Sequence, residues 1–232
     1  MSRKLIIIPA FNEEKNILNT VRLIQRDAQD FDYIVINDCS TDRTREMLED
    51  NGINHLSLPV NLGIGGAVQT GYRYALACGY DIVVQMDGDG QHVPGYLREM
   101  AELLEQGRAD MVIGSRFIEK DGFQSSRVRR LGIRYFSGLV KICTGKRITD
   151  PTSGQRMIGR RVIAEFAENY PKDYPEPETI VMILNKGCVI REIPVRMKER
   201  EGGKSSIGFL NAVYYMVKVT LGILMEMTRR KR

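Results

Sequence analysis

Along the first half of the chain, short runs of continuous apolar residues alternate with longer segments whose apolar positions recur at helical spacing. Residues 5–8 read as a strand followed by a helix from about Glu13. Residues 33–36 are followed by a helix from about Thr41, and residues 55–58 by one from about Gly65. The pattern continues with a strand at 81–86, a helix from about Pro94 and a strand at 111–113. Runs that are apolar throughout belong in a sheet covered on both faces, so the alternation predicts an α/β fold with a mostly parallel sheet flanked by helices. Ligands of such sheets sit at the carboxyl ends of the strands.

After Gly114 the rhythm breaks into a basic loop, a helix over 128–143 and the turn-rich Asp150-Pro151-Thr152-Ser153-Gly154. A second αβ section ends in a strand at 189–195 and a loop over 199–206. Residues 209–227 are apolar on most of a helical circumference, while Asn211, Lys218, Gly222 and Glu226 recur as one narrow polar stripe. The expected organisation is a single domain over residues 1–206, then an amphipathic helix with a basic tail over 207–232. That helix is expected to associate with a membrane or a partner and to turn its polar stripe toward lipid headgroups, because Lys218 and Glu226 would be costly inside a bilayer.

Composition narrows this picture. A chain of 232 residues, 43% hydrophobic and 27% charged, can bury one sizeable core. Its four cysteines are scattered without a Cys-x-x-Cys pair, which argues against a zinc site or a disulfide framework and for a reducing compartment. Residues 5–8 are too short for the apolar core of a signal peptide and run into Pro9. The net charge of +5 is modest, but it is unevenly placed. Arg127, Arg129, Arg130, Arg134, Lys141, Lys146 and Arg147 fall in a stretch without an acid, and the chain ends Arg229-Arg230-Lys231-Arg232. Such footprints fit anionic lipid, a phosphorylated substrate or nucleic acid, or simply a solvated basic face.

Three polar clusters follow directly after expected strands, where the sheet would gather them in one cleft: Pro9-Ala10-Phe11-Asn12-Glu13-Glu14, Asn37-Asp38-Cys39-Ser40-Thr41-Asp42, and Asp87-Gly88-Asp89-Gly90-Gln91-His92. Thr41 and Asp42 have an ordinary alternative as a helix N-cap. The third cluster carries more chemistry. Two carboxylates one residue apart at a strand end repel unless a cation joins them, and Mg²⁺ or Mn²⁺ suits an oxygen set of Asp87, Asp89 and the Gln91 amide, completed by water and phosphate. A surface turn rich in Asp and Gly is the competing explanation.

With these residues in place, the chain resembles the family 2 glycosyltransferases of GT-A fold, a Rossmann-like nucleotide-diphospho-sugar transferase architecture. The branch that it resembles contains dolichol-phosphate mannose synthase and bacterial polyprenyl-phosphate glycosyltransferases. The motifs carrying the resemblance are PAFNEE, NDCSTDRT, MDGDGQH, Gly114-Ser115-Arg116 with the downstream DPTSG, and EREGGKSS, spread over about residues 4–206. The resemblance implies that Pro9, Phe11 and Glu13 line the base and ribose, with Ile36 and Asp38 completing that pocket. It places Asp87 and Gly88 at the ribose and metal region, Asp89 and Gln91 on the cation, and Arg116 on phosphate. Arg200 or Lys204 would close over the diphosphate. Phe11 stands where many relatives have tyrosine, and Asn37 replaces the first acid of the usual Asp-Asp pair.

What the resemblance implies is an enzyme: inverting, metal-dependent transfer of a hexose or N-acetylhexosamine from a UDP- or GDP-linked donor to a polyprenyl phosphate. A cation and Arg or Lys groups would stabilise the charge gained by the leaving nucleoside diphosphate. A lipid phosphate is already an anion and needs no base. A sugar-hydroxyl acceptor would need one, with Asp150 or Glu178 as candidates, although Asp150 also fits the start of a turn. On the helix over 128–143, Arg127, Arg130, Arg134 and Lys141 fall on one side and Leu131, Tyr135, Leu139 and Ile142 on another, as in a membrane-surface helix. In the resembled branch this region handles lipid phosphate, which singles out Arg130, or Arg129 in a shifted register.

The expected setting is therefore the cytoplasmic face of the membrane, peripherally bound to its anionic surface, with a small integral membrane protein or flippase as a candidate partner. The alternatives are transfer to a glycan hydroxyl and a non-catalytic nucleotide-sugar-binding scaffold. Nucleic acid is not an expected partner, since RNP-type aromatics and a recognition helix are not evident. Two other signals fail. Gly63-Ile64-Gly65-Gly66-Ala67 follows the third strand and has Val68 where a dinucleotide fingerprint needs glycine, and Gly203-Lys204-Ser205 has Lys198 where a P-loop needs its first glycine.

Overall fold

The computed structural model describes residues 2–88, 93–119, 127–196 and 209–229; of residues 127–129, 209–213 and 229 only the backbone is described. The strands are β1 (Lys4–Ala10), β2 (Asp32–Asn37), β3 (His55–Ser57), β4 (Ile82–Gln85), β5 (Met111–Ser115), β6 (Arg156–Gly159) and β7 (Ile190–Pro194). The helices are α1 (Ile17–Asp27), α2 (Thr44–Asp50), α3 (Gly63–Ala77), α4 (Leu97–Glu105, after a 3-10 turn at Pro94–Tyr96), α5 (Arg127–Thr144), α6 (Arg160–Glu168), α7 (Pro175–Asn185) and α8 (Phe209–Arg229).

The strands form one sheet in the order β3-β2-β1-β4-β6-β5-β7. All neighbours run parallel except β6, which is antiparallel to both β4 and β5. Alternation along each strand divides the core between the two faces. Ile7, Ile34, Ile36, Val83 and Ile158 pack with Tyr72, Phe136, Phe166 and Ile180 on one side. Ile6, Ile8, Val35, Val84 and Met157 pack with Ile17, Leu97 and Met100 on the other. The mostly parallel α/β sheet flanked by helices is the GT-A arrangement expected from the sequence.

Two helices start later than expected because the polar residues before them are used in turns. The helix expected from about Glu13 begins at Ile17, and the one from about Thr41 begins at Thr44. The amide of Thr44 donates to Asp42 Oδ1 at 2.9 Å, so Asp42 does serve the start of α2. It also accepts the Glu14 amide at 3.1 Å and thereby ties the first two clusters together. Burial works against its charge, but the Thr44 hydroxyl and the Thr44 and Glu14 amides outweigh that and hold Asp42 below the usual carboxylate range.

The structure changes the reading of α5 and α8. On α5 the buried positions are Ile133, Phe136, Val140 and Cys143, a third side of the helix, while Leu131, Tyr135 and Ile142 are exposed, Ile142 by 83%. On α8, Lys218, Gly222 and Glu226 of the expected polar stripe face the protein and not headgroups. A Cβ on Gly222 would come within 2.4 Å of Glu178 Oε2 on α7, so glycine permits the close approach of the two helices. Glu226 is buried, with its carbonyl accepting from Asn185 Nδ2 at 3.4 Å, and Lys218 pairs with Asp173. The outward positions are Tyr214, Val217, Leu221, Leu224 and Met225. Among the described residues no helix is long and apolar enough to cross a membrane.

Candidate active site

The carboxyl ends of β1, β2 and β4 open on a cavity of about 350 Å³ lined by Pro9, Ala10, Phe11, Glu13, Asp38, Asn61, Gly63, Ile64, Ala67, Asp87 and Gly88. Six of the residues expected at a nucleotide-sugar site are therefore gathered here: Pro9, Phe11, Glu13, Asp38, Asp87 and Gly88. Ile36 is not among them. Its side chain points into the core with no exposed surface, because strand alternation sends it to the face opposite Val35. Asn61 and Ile64 were not singled out from sequence. The glycine-rich segment that fails as a dinucleotide fingerprint still contributes, since it forms the first turn of α3 at the cavity wall.

Hydrogen bonds from amide and hydroxyl groups, joined by the Asp38 and Asp42 carboxylates, fix the loops around the cavity. Asn12, in a left-handed conformation at φ 56°, accepts the Thr41 amide at 2.8 Å, and its own amide donates to Ser40 Oγ at 3.0 Å. The Glu13 amide donates to Thr44 Oγ1 at 2.9 Å. Buried Asp38 accepts the Leu62 amide at 2.7 Å, and its carbonyl accepts from Asn61 Nδ2 at 3.0 Å, which docks the start of α3 against β2. Asn37 bridges Ser57 and the Ser40 amide, a structural task that suits an amide better than a carboxylate.

Antiparallel β6 brings a further loop to the same edge, because its first residue Arg156 stands opposite Gln85, the last of β4. The Asp87 carboxylate accepts from Gln85 Nε2 at 3.1 Å, and a Cβ on Gly154 would approach its other oxygen to 3.1 Å. Glycine at 154 thus leaves room beside Asp87. Arg116 and Asp150 are also brought together. Nε and Nη2 of Arg116 donate to the two Asp150 oxygens at 2.7 and 2.8 Å, with only 6% and 0% of the side chains exposed. Nη2 also donates to Thr152 Oγ1 at 3.1 Å. Arg116 is therefore bound to a carboxylate just past the carboxyl end of β5 and is not among the residues that line the cavity. Asp150 is buried behind it, in a poor position to receive a proton from a substrate hydroxyl. Arg130 is exposed on α5. Glu178 lies in the α7–α8 seam against Gly222, remote in role from the cavity lining. Asp89, Gln91, Arg200 and Lys204 lie outside the described residues.

Among the described residues no group of three metal-ligating side chains occurs. The donor set that remains is chemically consistent: Asp87 offers carboxylate oxygen at the cavity, and Asp89 and Gln91 follow it in sequence with more oxygen ligands. Hard divalent cations are commonly held by one or two carboxylates plus water and phosphate, so the residues fit such an ion.

A mostly parallel sheet with an acidic cavity at its strand ends is an arrangement that binds nucleotides at the carboxyl ends of the strands. Residues 5–166 match the model of Glycosyl transferase family 2, and the chain belongs to that family. The undecaprenyl-phosphate mannosyltransferase of Micrococcus luteus is 30% identical over 88% of this chain and 87% of its own length. The polyprenol monophosphomannose synthase of Mycolicibacterium smegmatis is 27% identical over 94% of this chain and 85% of its own. In fold, the chain superposes with a TM-score of 0.72 on glucosyl-3-phosphoglycerate synthase from Mycobacterium tuberculosis, solved with Mn²⁺, UDP and glucosyl-3-phosphoglycerate. That match has 19% identity and covers 99% of this chain and 80% of the other. The chain is a glycosyltransferase.

Proposed function

We propose that this enzyme transfers a sugar from a UDP- or GDP-linked donor to a polyprenyl phosphate, with a divalent cation and with inversion at the anomeric carbon. The observation that carries the donor side is the single cavity that gathers Phe11, Glu13, Asp38 and Asp87 at three strand ends. Phe11, 47% exposed, offers a ring face to a base, and Asp38 offers a carboxylate to base or ribose N–H or O–H groups. Asp87, Asp89 and Gln91 would hold Mg²⁺ or Mn²⁺, which would offset charge on the leaving diphosphate. Arg116, with Arg200 or Lys204, adds positive charge to the same region.

Three points favour lipid phosphate as acceptor. The relatives named above are a polyprenyl-phosphate mannosyltransferase and a polyprenol monophosphomannose synthase. Asp150 is occupied by Arg116, which weakens the glycan-hydroxyl alternative by removing its first base. An already ionised phosphate requires none. The enzyme then works at the cytoplasmic face of a membrane. Leu131, Tyr135 and Ile142 of α5, with Val217, Leu221 and Leu224 of α8, meet the acyl boundary, and Arg130, Arg134 and Lys141 meet anionic headgroups.

The test is to incubate the protein with Mg²⁺ or Mn²⁺ and a panel of nucleotide sugars, in parallel with a polyprenyl phosphate and with a glycan acceptor, detecting released nucleotide and the glycosylated product. A glycolipid with a β-linked product from an α-linked donor is expected. Transfer only to glycan hydroxyls would overturn the acceptor, and full activity in excess EDTA would overturn the metal.

A further inference from the structure

The turn over residues 150–154 is held from two sides by charged groups that line no part of the cavity. From β7, the Glu192 carboxylate accepts the Thr149 amide at 2.8 Å, the Thr149 hydroxyl at 2.9 Å and the Asp150 amide at 2.9 Å. From β6, the guanidinium of Arg156, 1% exposed, donates to the carbonyls of Ser153 at 2.7 Å and Pro151 at 2.9 Å. The same guanidinium reaches the Glu176 carbonyl at 2.7 Å and Thr179 Oγ1 at 2.8 Å on α7. An anion thus takes amide ends and a cation takes carbonyl ends, each the stronger, charge-assisted form of hydrogen bond. Between these two anchors the turn carries the Asp150 carboxylate that grips Arg116, and the Gly154 backbone that lies against Asp87.

We propose that Glu192 and Arg156 are positioning residues for sugar transfer, acting through this turn to set Arg116 and Asp87 at the reacting end of the cleft. The proposal rests on the reading of those two residues as part of the transfer site. The base-binding end at Pro9, Phe11 and Asp38 is fixed by other loops and is not tied to the turn. Displacing the turn therefore slows the chemical step and leaves recognition of the base in place.

The experiment compares Glu192→Ala, Glu192→Gln and Arg156→Lys with wild type in full-length protein, measuring kcat, donor KM, binding of UMP and GMP, which lack the second phosphate, and folded fraction by circular dichroism. Assays use whichever acceptor the wild type accepts in the panel above, so a wrong acceptor appears in wild type and not in the variants. Misplacement of reacting groups by about 1 Å can cost about 100-fold, and a kcat loss of that order is expected for Glu192→Ala. Glu192→Gln keeps one acceptor oxygen but turns a donor toward the Thr149 amide, and a loss of about tenfold is expected. Arg156→Lys keeps the charge without the fork and is expected to lose kcat likewise. Affinity for UMP and GMP stays within about threefold of wild type while kcat falls, as expected for groups that act on the diphosphate and the transition state and not on the base. A folded Glu192→Gln protein with wild-type kcat overturns the proposal. So does a kcat loss that only tracks the loss of folded protein, or one matched by an equal loss of nucleotide affinity. If Glu192→Ala does not fold, Glu192→Gln decides the matter.

Discussion

The two ends of the cleft are built from different materials. At the nucleotide end, Asn12, Asn37, Ser40, Thr41 and Thr44 join the loops largely through neutral hydrogen bonds, many of them exposed to solvent. The Asp38 and Asp42 carboxylates there accept from backbone amides and a hydroxyl group, with no cationic partner among the described residues. At the other end Arg116, Asp150 and Arg156 are almost wholly buried and hold one another and the backbone with full charges. Neutral surface contacts are individually worth little and tolerate adjustment, whereas buried charges are costly to leave unpaired. The difference teaches that one end can adapt to a ligand while the other arrives already organised.

The largest expected effect comes from Asp150→Asn, which leaves the Arg116 guanidinium buried against a neutral amide. Loss of one partner of a buried pair costs about 3–5 kcal/mol, to be read from denaturant unfolding, and transfer should fall with it. A change below about 1 kcal/mol would place this pair with ordinary surface pairs and erase the contrast. At the nucleotide end, Asn12→Ala removes the acceptor of the Thr41 amide and puts alanine at positive φ, for an expected cost of about 1–2 kcal/mol. Isothermal titration with UDP and GDP should show weaker binding; unchanged affinity would mean that the loop contact does not shape the pocket.

The outer face of the charged half offers a third test. Leu131→Ser with Ile142→Ser alters exposed side chains, so stability should move by no more than about 0.5 kcal/mol. Flotation with anionic vesicles should nevertheless weaken, and binding by wild type should fall as salt rises. Equal flotation of variant and wild type would remove α5 from the membrane face. The smallest effect concerns Asp42. Its folded pKa is depressed, so its contribution is present above the unfolded carboxylate value near 4 and is lost as pH falls through the lower folded value. Asp42→Asn should therefore flatten the acid limb of the stability profile; an unchanged limb would show that its hydrogen bonds do not favour the charged form.

Much of the nucleotide end was legible in the chain because each cluster follows its own strand. A parallel sheet aligns strand ends, so Pro9, Asp38 and Asp87 had to meet once the strands were recognised. Ile36 was misplaced because the motif names a segment, while alternation along β2 decides which side chain faces inward. Glu192 escaped notice since a lone acid in a strand carries no local signal; its partners lie more than forty residues earlier.

The strand–helix rhythm, the acidic clusters after the strands and the family to which the chain belongs can all be read along the chain without its folded form. Period-two and period-3.6 patterns are local, and short motifs survive without knowledge of their neighbours. Only the tertiary structure decided that β6 enters the sheet antiparallel and delivers the 150–154 turn to the cleft. It likewise decided that Gly222 and Glu226 face inward on α8 while Leu131 and Ile142 face outward on α5. An apolar or polar stripe records that a helix has sides, but what covers each side depends on elements distant in the chain.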